Sequence, residues 1–219
     1  MILNAPVYDV ASETPLDPAP RLSQKLGNKV LIKREDLQPV FSFKLRGAYN
    51  KLVHLTEEQK AIGVIAASAG NHAQGVALAA SKLNINATIV MPETTPEIKV
   101  DGVRKFGANV VLFGDDFSAA FTKANEIATR KSLIFIPPFD DPLVIAGQGT
   151  IGIELLRQCM EKIHAIFIPI GGGGLISGIG AYVKLIRPDI KIIGVESDES
   201  ASMYMSLKKG RRVTLKNVG

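Results

Sequence analysis

Short apolar runs rich in β-branched residues alternate with helical patterns along most of the chain. An apolar run without alternating polar positions is typical of a strand that helices cover on both faces, and such strands form parallel sheets. The alternation therefore predicts an α/β fold with parallel sheets. The predicted strands are 29–33, 63–67, 86–91, 109–113, 132–136, 165–170 and 191–196, and the predicted helices are 44–55, 72–83, 96–106, 117–130, 145–161 and 175–186.

A proline-rich segment interrupts this alternation. A chain of 219 residues is long enough for one large domain or two small ones. The segment PPFDDP at 137–142 contains three prolines, which disfavour both helix and ladder positions. We interpret it as a crossing between two lobes. The expected small lobe runs from 40 to 137, and the expected large lobe combines 1–39 with 138–219.

The surplus of positive charge lies in one segment. The net charge is +5, and the basic tail, SLKKGRRVTLKNVG at 206–219, carries five basic residues and no acidic one. Removing these five from the 26 Lys and Arg leaves 21, which equals the 21 Asp and Glu. A short tail without aromatic residues is not the pattern of a nucleic-acid-binding surface, so we expect no nucleic-acid partner. The five residues are Lys208, Lys209, Arg211, Arg212 and Lys216, in what we expect to be an interrupted strand and loop.

Other features bear on compartment and metal binding. Cys159 is the only cysteine, which excludes an intrachain disulfide and a cysteine-based metal cage. The three histidines are too scattered to suggest a zinc site. No apolar stretch reaches the roughly 18 residues of a membrane span. The first residues, MILNAPVYDVASE, lack the features of a signal or transit peptide. We therefore expect a cytoplasmic protein without a membrane partner.

A lysine stands where the first predicted helix begins, in VFSFKLRGAYNK at 40–51. The positive end of a helix dipole usually favours Asp or Glu. Lys44 either points into water at small cost, or the helix end and burial lower its pKa so that the amine can act as a nucleophile. Ser42 is predicted to cap this helix.

Two further loops follow predicted strands. In AASAGNHAQG at 66–75, small residues leave backbone N–H groups open to a carboxylate or phosphate, although Ser68 or Asn71 could simply cap the helix that starts near His72. In IPIGGGGLISG at 168–178, four consecutive glycines are costly in conformational entropy. We interpret this glycine loop as a phosphate cradle.

The pattern around these glycines does not fit a nucleotide site. The dinucleotide fingerprint fails because Ile176 or Ser177 stands where the third glycine is needed, and no Gly-Lys-Ser/Thr follows as in a P-loop. An activated amine, a phosphate cradle and a polar amide together are suited to holding pyridoxal phosphate. Lys44 would supply the amine, the glycine loop the cradle, and Asn71 a donor to the ring hydroxyl.

Four motifs, in this order, carry a resemblance to a known family. They are SFKLRGA, SAGNHAQG, IAGQGT and GGGGLISG. They resemble the threonine dehydratase (threonine ammonia-lyase) family of pyridoxal-phosphate enzymes, most closely its biosynthetic members, and the likeness runs over essentially the whole chain. The family has a two-lobed α/β fold of the tryptophan-synthase-β type (fold type II).

The resemblance implies a lyase of amino-acid metabolism. Biosynthetic members begin isoleucine, hence branched-chain amino-acid, biosynthesis by deaminating L-threonine to 2-oxobutanoate and ammonia. L-serine would give pyruvate. Catabolic serine/threonine dehydratases and serine racemases are similar and stay open as alternatives. Racemases of the family have a serine where this chain has Ala69, which favours dehydration.

The resemblance also implies roles for individual residues. Lys44 would be the Schiff-base lysine that takes the Cα proton, and Phe43 would lie beside the cofactor ring. Asn71 would bind the phenolic oxygen of the cofactor. The phosphate would be bound by Gly171, Gly172, Gly173, Gly174 and Leu175, and the substrate carboxylate by Ser68, Gly70, Asn71 and His72. A homo-oligomer is expected.

Two departures from the family pattern have consequences. Cation-binding members have an acid at Glu196 and a second acid where this chain has Ser202, so no metal is predicted and Glu196 is expected to cap a strand or pair with a lysine. The family's catalytic domain continues beyond Gly219 and supplies a serine to the pyridine nitrogen. We therefore expect a C-terminally truncated chain with an incomplete large lobe, for which an inactive remnant is the alternative.

Overall fold

Within residues 1–215, which the computed structural model describes, eight strands form three sheets. Four parallel strands make the largest sheet in the order β5-β4-β3-β6, strands β7 and β8 pair in parallel, and β1 and β2 pair antiparallel. The bounds are β1 Leu16–Pro18, β2 Leu31–Lys33, β3 Val64–Ala67, β4 Ala87–Met91, β5 Asn109–Leu112, β6 Ile134–Phe135, β7 Ala165–Pro169 and β8 Lys191–Val195.

Nine α-helices lie between and after the strands in this part of the chain. Their bounds are α1 Pro20–Leu26, α2 Lys44–Val53, α3 Glu57–Ile62, α4 Asn71–Lys82, α5 Glu97–Arg104, α6 Phe117–Lys131, α7 Pro142–Gln158, α8 Gly174–Ile186 and α9 Ser202–Lys209. Local chemistry explains several starts. Thr56 forms a capping box with Gln59 at α3, and Asp116 and Asp141 cap α6 and α7 with their carboxylates.

The predicted parallel α/β fold is confirmed for six strands. The run at 29–33 differs, because its last three residues form β2 and pair antiparallel with β1. Strand β1 reads Leu-Asp-Pro and carries no β-branched residue, so its sequence gives no strand pattern. The lobe boundaries at 40 and 137 stay a prediction.

The basic tail does not form the expected strand and loop at its start. Lys208 and Lys209 are the last two residues of α9, where cations stabilise the negative end of the helix dipole. Lys216 lies outside the described residues. Glu196 accepts hydrogen bonds from the backbone N–H groups of Met203 (2.9 Å) and Tyr204 (2.8 Å), so this carboxylate caps the start of helix α9 and not the expected strand.

Helix α2 is packed on two sides, and this fixes where its first turn lies. Leu45, Ala48 and Leu52 are fully buried with the spacing of one helix face. A methyl group at Gly75 of α4 would lie 3.0 Å from the backbone of Lys44 and Leu45, so α4 crosses directly over the start of α2. Helix α7 packs against α2 as well. No helix in the described range is long and apolar enough to cross a bilayer.

Candidate active site

Lys44 is the first residue of α2, as predicted, and its amine is held inside the protein. The Nζ atom donates a hydrogen bond to the carbonyl oxygen of Pro138 at 2.7 Å, and it lies 5.5 Å from the centroid of the Phe43 ring. Burial lowers the pKa of Lys44 from 10.5 to about 8, because the charged form loses water. The alternative in which Lys44 simply points into water is therefore wrong.

Ser42 does not cap α2. Phe43 occupies the N-cap position in a helical conformation, and the Ser42 hydroxyl is buried without a hydrogen-bond partner among residues 1–215. Phe41, just before, has a left-handed φ of 56°, which is rare for an aromatic residue. The chain thus turns sharply ahead of Ser42 and enters the helix one residue later than a serine cap requires.

The loop after β3 leads into α4 through Gly70, which is the N-cap residue. The hydroxyl of Ser68 accepts the N–H of Gly70 at 3.2 Å, within the loop. Helix α4 has no side-chain cap from the described part of the chain, so the simple capping role considered for Ser68 or Asn71 is wrong. The side chain of Asn71 is exposed. The loop therefore presents an amide at the positive end of a 12-residue helix.

His72 differs from its neighbours because it is almost fully buried. Its Nε2 atom lies 2.9 Å from the carbonyl oxygen of Ile136. Burial, together with the nearby Lys44 charge, lowers the pKa of His72 to about 4, although the bond to Ile136 opposes the shift. The ring is therefore neutral near pH 7 and donates its Nε2–H to Ile136. It ties the start of α4 to the end of β6.

This burial makes stability depend on pH. The folded-state pKa of His72, about 4, lies below its ordinary value of 6.5, so the unfolded chain binds the proton more readily. We expect full stability above about pH 6.5 and a loss of roughly 3 kcal/mol as the pH falls to about 4. Urea unfolding over this range measures the effect. The His72→Gln variant, which retains a donor for Ile136, should lose this part of the pH dependence, and equal slopes in both proteins would contradict the argument.

The glycine loop joins β7 to α8. Gly173 is the N-cap residue of α8 and has a left-handed φ of 88°, which a residue with a side chain adopts only with strain. Gly171 and Gly172 are exposed, and Gly174 is buried. The loop therefore sets backbone N–H groups at the positive end of a 13-residue helix, where an anion is stabilised. Leu175 packs against the same apolar cluster as Phe43, which connects this loop with the start of α2.

Residues 136–139, which no sequence pattern marked as functional, contact the start of α2, the start of α4 and the glycine loop. Ile136 contacts His72, the Pro138 carbonyl accepts from Lys44, and the Phe139 ring lies against Gly172. The prolines of this segment suggested only a crossing between lobes. Two of its three contacts are made by backbone carbonyls, which every residue has, so no residue pattern could have revealed them.

Comparisons with known proteins agree with this geometry. The biosynthetic, chloroplastic threonine dehydratase of Arabidopsis thaliana is 59% identical over 218 residues, which are 100% of this chain and 37% of the relative. The processed form of threonine deaminase isoform 2 from Solanum lycopersicum has a solved structure with a TM-score of 0.96 and 59% identity, over 100% of this chain and 63% of that one. The structure of maize serine racemase has a TM-score of 0.95 and 33% identity, over 100% of this chain and 67% of that one.

The chain thus spans well under half the length of the Arabidopsis relative. The likeness to threonine deaminase and serine racemase structures confirms the predicted tryptophan-synthase-β-like fold. Residues 7–218 also match the model of one family, described as pyridoxal-phosphate-dependent enzymes. A match over nearly the whole chain means that this protein belongs to the family of pyridoxal-phosphate-dependent enzymes.

Proposed function

We propose that this protein deaminates L-threonine to 2-oxobutanoate and ammonia with pyridoxal phosphate as cofactor. The observation that carries the proposal is the buried amine of Lys44, whose pKa is lowered to about 8 at the start of α2. The 59% identity with the biosynthetic threonine dehydratase of Arabidopsis supports threonine as the substrate. Since the chain spans 37% of that relative, the proposal concerns the activity of the whole protein.

The residues present fit the cofactor. An amine with a pKa near 8 is neutral in a useful fraction of molecules near physiological pH, so it can attack an aldehyde. The N–H groups at the start of α8 suit a doubly charged phosphate, and the loop is open at Gly171, where no atom lies within 4 Å of the position that a methyl group would take. The Phe43 ring gives the amine an apolar neighbour suited to a flat aromatic group.

Each predicted site residue then has a distinct role. Lys44 would hold the cofactor covalently through its amine, and the exposed amide of Asn71 would donate to the ring oxygen. The phosphate would be bound by Gly171, Gly172, Gly173, Gly174 and Leu175, with Phe43 beside the ring. When bound, pyridoxal phosphate withdraws electrons from the Cα atom of an attached amino acid and so makes its Cα proton acidic.

The chain's own groups would position the substrate and move the proton. Ser68, Gly70, Asn71 and His72 would bind the carboxylate of threonine at the start of α4, where the helix dipole favours an anion. The ring of His72 already bonds to Ile136, so this residue would contribute its backbone N–H. The amine of Lys44, displaced by the substrate and neutral, would take the Cα proton as a general base.

A racemase is the main alternative reaction, because maize serine racemase has the same fold. Its identity of 33% is well below the 59% of the Arabidopsis dehydratase. The side chain of Ala69 has no hydroxyl that could return a proton from the opposite face. Dehydration is therefore favoured. The role in isoleucine biosynthesis follows the biosynthetic relatives, whereas the homo-oligomer and the cytoplasmic location stay predictions, and the Arabidopsis relative is named as chloroplastic.

Product analysis tests the proposal. The purified protein is supplied with pyridoxal phosphate and L-threonine, and the products are identified by mass spectrometry and chiral chromatography. We expect 2-oxobutanoate and ammonia in equal amounts, with pyruvate from L-serine. D-serine formed from L-serine faster than pyruvate would instead identify a racemase. No keto acid from either amino acid, in protein that binds the cofactor, would refute the proposed reaction.

A further inference from the structure

Residues 138 and 139 contact two parts of the candidate site that lie far apart in the sequence. Lys44 starts α2, and the glycine loop precedes α8. In sequence these parts are more than 120 residues apart. The adjacent residues Pro138 and Phe139 contact one part each, through a backbone oxygen and an aromatic ring.

The contact with Lys44 fixes the amine. The Pro138 carbonyl oxygen lies 2.7 Å from Nζ, a short hydrogen bond in a half-buried place. Two neighbouring contacts keep this carbonyl in place. His72 binds the carbonyl of Ile136, two residues earlier, and Asp141, three residues later, caps α7 and forms an ion pair with Lys51 of α2 at 2.7 Å.

The contact with the glycine loop is tight. A methyl group at Gly172 would lie 2.2 Å from the ring of Phe139, so the ring occupies the space that any side chain there would need. At Gly174 the corresponding position lies 2.9 Å from the Phe139 carbonyl oxygen and 3.0 Å from its Cα atom. Phe139 therefore leaves no room for a side chain at two positions of the glycine loop, Gly172 and Gly174.

We propose that Pro138 and Phe139 form a positioning element that sets the separation between the Lys44 amine and the phosphate-binding glycine loop. The proposal rests on the proposed function, since it assigns these groups to one cofactor. Consecutive Cα atoms are about 3.8 Å apart across a trans peptide, so the two contacts are joined by a short, stiff link. The cofactor would be held by Lys44 at its aldehyde end and by the glycine loop at its phosphate end, so a fixed distance between these two groups would suit it. Pro138 and Phe139 need not touch the cofactor themselves.

A double-mutant cycle tests this link, with the affinity for pyridoxal phosphate as the readout. Phe139→Ala frees the glycine loop, which must then be ordered on binding, and we expect the affinity to fall about tenfold. Gly172→Ala forces a methyl group into the ring, and we expect a similar or larger loss. In the double variant the ring is absent, so the added methyl group should cost little more than Phe139→Ala alone.

Two controls make the cycle specific. Gly173→Ala is strained by the φ of 88° at this position, and its methyl group would meet Met203 rather than Phe139. Its effect on cofactor affinity should therefore be the same with and without the Phe139→Ala substitution. Phe117→Ala removes an exposed phenylalanine of α6 and should leave the affinity unchanged. Phe139→Leu should restore part of the affinity because it refills the space. If Phe139→Ala does not fold by circular dichroism, Phe139→Ser, which also leaves the space of the ring empty, takes its place in the cycle.

The outcomes separate this proposal from the proposed function. Cofactor binding by the unaltered chain, with non-additive effects of Phe139→Ala and Gly172→Ala, supports the positioning element. Cofactor binding by the unaltered chain, with additive effects, overturns the element and leaves the proposed function standing. An unaltered chain that binds no pyridoxal phosphate in dialysis or visible absorbance overturns both.

Discussion

Replacing Lys44 with alanine is expected to abolish threonine deamination, with a loss of about 10³-fold or more in kcat. The variant lacks both the amine that would hold the cofactor and the base that would take the Cα proton. The visible absorbance of the cofactor bound through the amine should disappear as well. Formation of 2-oxobutanoate and the visible spectrum measure the two losses separately.

Matched variants distinguish the amine from the charge. Lys44→Arg keeps a cation at this position, but a guanidinium does not lose its proton, so this variant should be as inactive as Lys44→Ala. Lys60→Ala removes a lysine of α3 that pairs with Glu57 and should have little effect. Activity of Lys44→Ala within about tenfold of the unaltered protein would exclude Lys44 as the catalytic group.

The lowered pKa of Lys44 adds a dependence on pH. Since burial brings the pKa to about 8, the neutral amine becomes abundant as the pH rises through about 8 rather than through 10.5. The rate at which the cofactor-free protein captures pyridoxal phosphate should therefore rise up to about pH 8 and then level off. A rate that still increases steeply toward 10.5 would show that the amine is solvated.

The parts of the site that depend on residue type could be predicted from the sequence. The lysine at a helix start and the run of four glycines are unusual enough to be recognised, and the structure sets both at the starts of helices. Whether the lysine points into water or is buried stayed open in the sequence, and the structure shows that it is largely buried. The parallel strands were visible because they are apolar throughout.

The parts of the site that depend on tertiary contacts could not be predicted from the sequence. The carbonyls of Ile136 and Pro138 have no signature in the sequence, and only the fold brings them to His72 and Lys44. Ser42 has the residue type of a cap, but Phe43 occupies the N-cap position and the helix begins one residue later than a cap at Ser42 requires. Helix α9 was missed since its charges dominate the local pattern, while its start depends on Glu196, which lies six residues before Ser202.

A buried ionic network lies directly behind Lys44. Arg46 of α2 and Glu154 of α7 are both fully buried, and the Nη1 atom of Arg46 lies 2.5 Å from the Oε1 atom of Glu154. Glu35 binds Arg46 at 2.8 Å, and Lys33 and Tyr8 bind Glu154 at 2.5 and 2.9 Å. Burial alone would raise the pKa of Glu154, but the hydrogen bonds and charges of Arg46 and Lys33 lower it. The network thus holds two negative and two positive charges in balance.

Glu154→Gln is expected to lower the free energy of unfolding by roughly 3–5 kcal/mol, because it leaves the fully buried Arg46 with one carboxylate, the partly buried Glu35, and takes the carboxylate partner from Lys33. Urea unfolding at neutral pH measures the loss. The matched control is Glu161→Gln, which breaks an exposed pair with Lys29 and should cost at most about 1 kcal/mol. Nearly equal losses in the two variants would mean that water reaches Glu154.

The network also bears on the site, because Arg46 lies two residues after Lys44 on the same helix turn. A helix whose first turn is no longer held by Glu154 should orient the amine less well, so cofactor affinity should fall along with stability. The double variant Arg46→Met/Glu154→Leu removes both charges of the central pair and should recover part of the lost stability, since neither buried partner is then left alone. Recovery of cofactor affinity in the same double variant would show that the packing of α2, and not the charge of Arg46, orients Lys44.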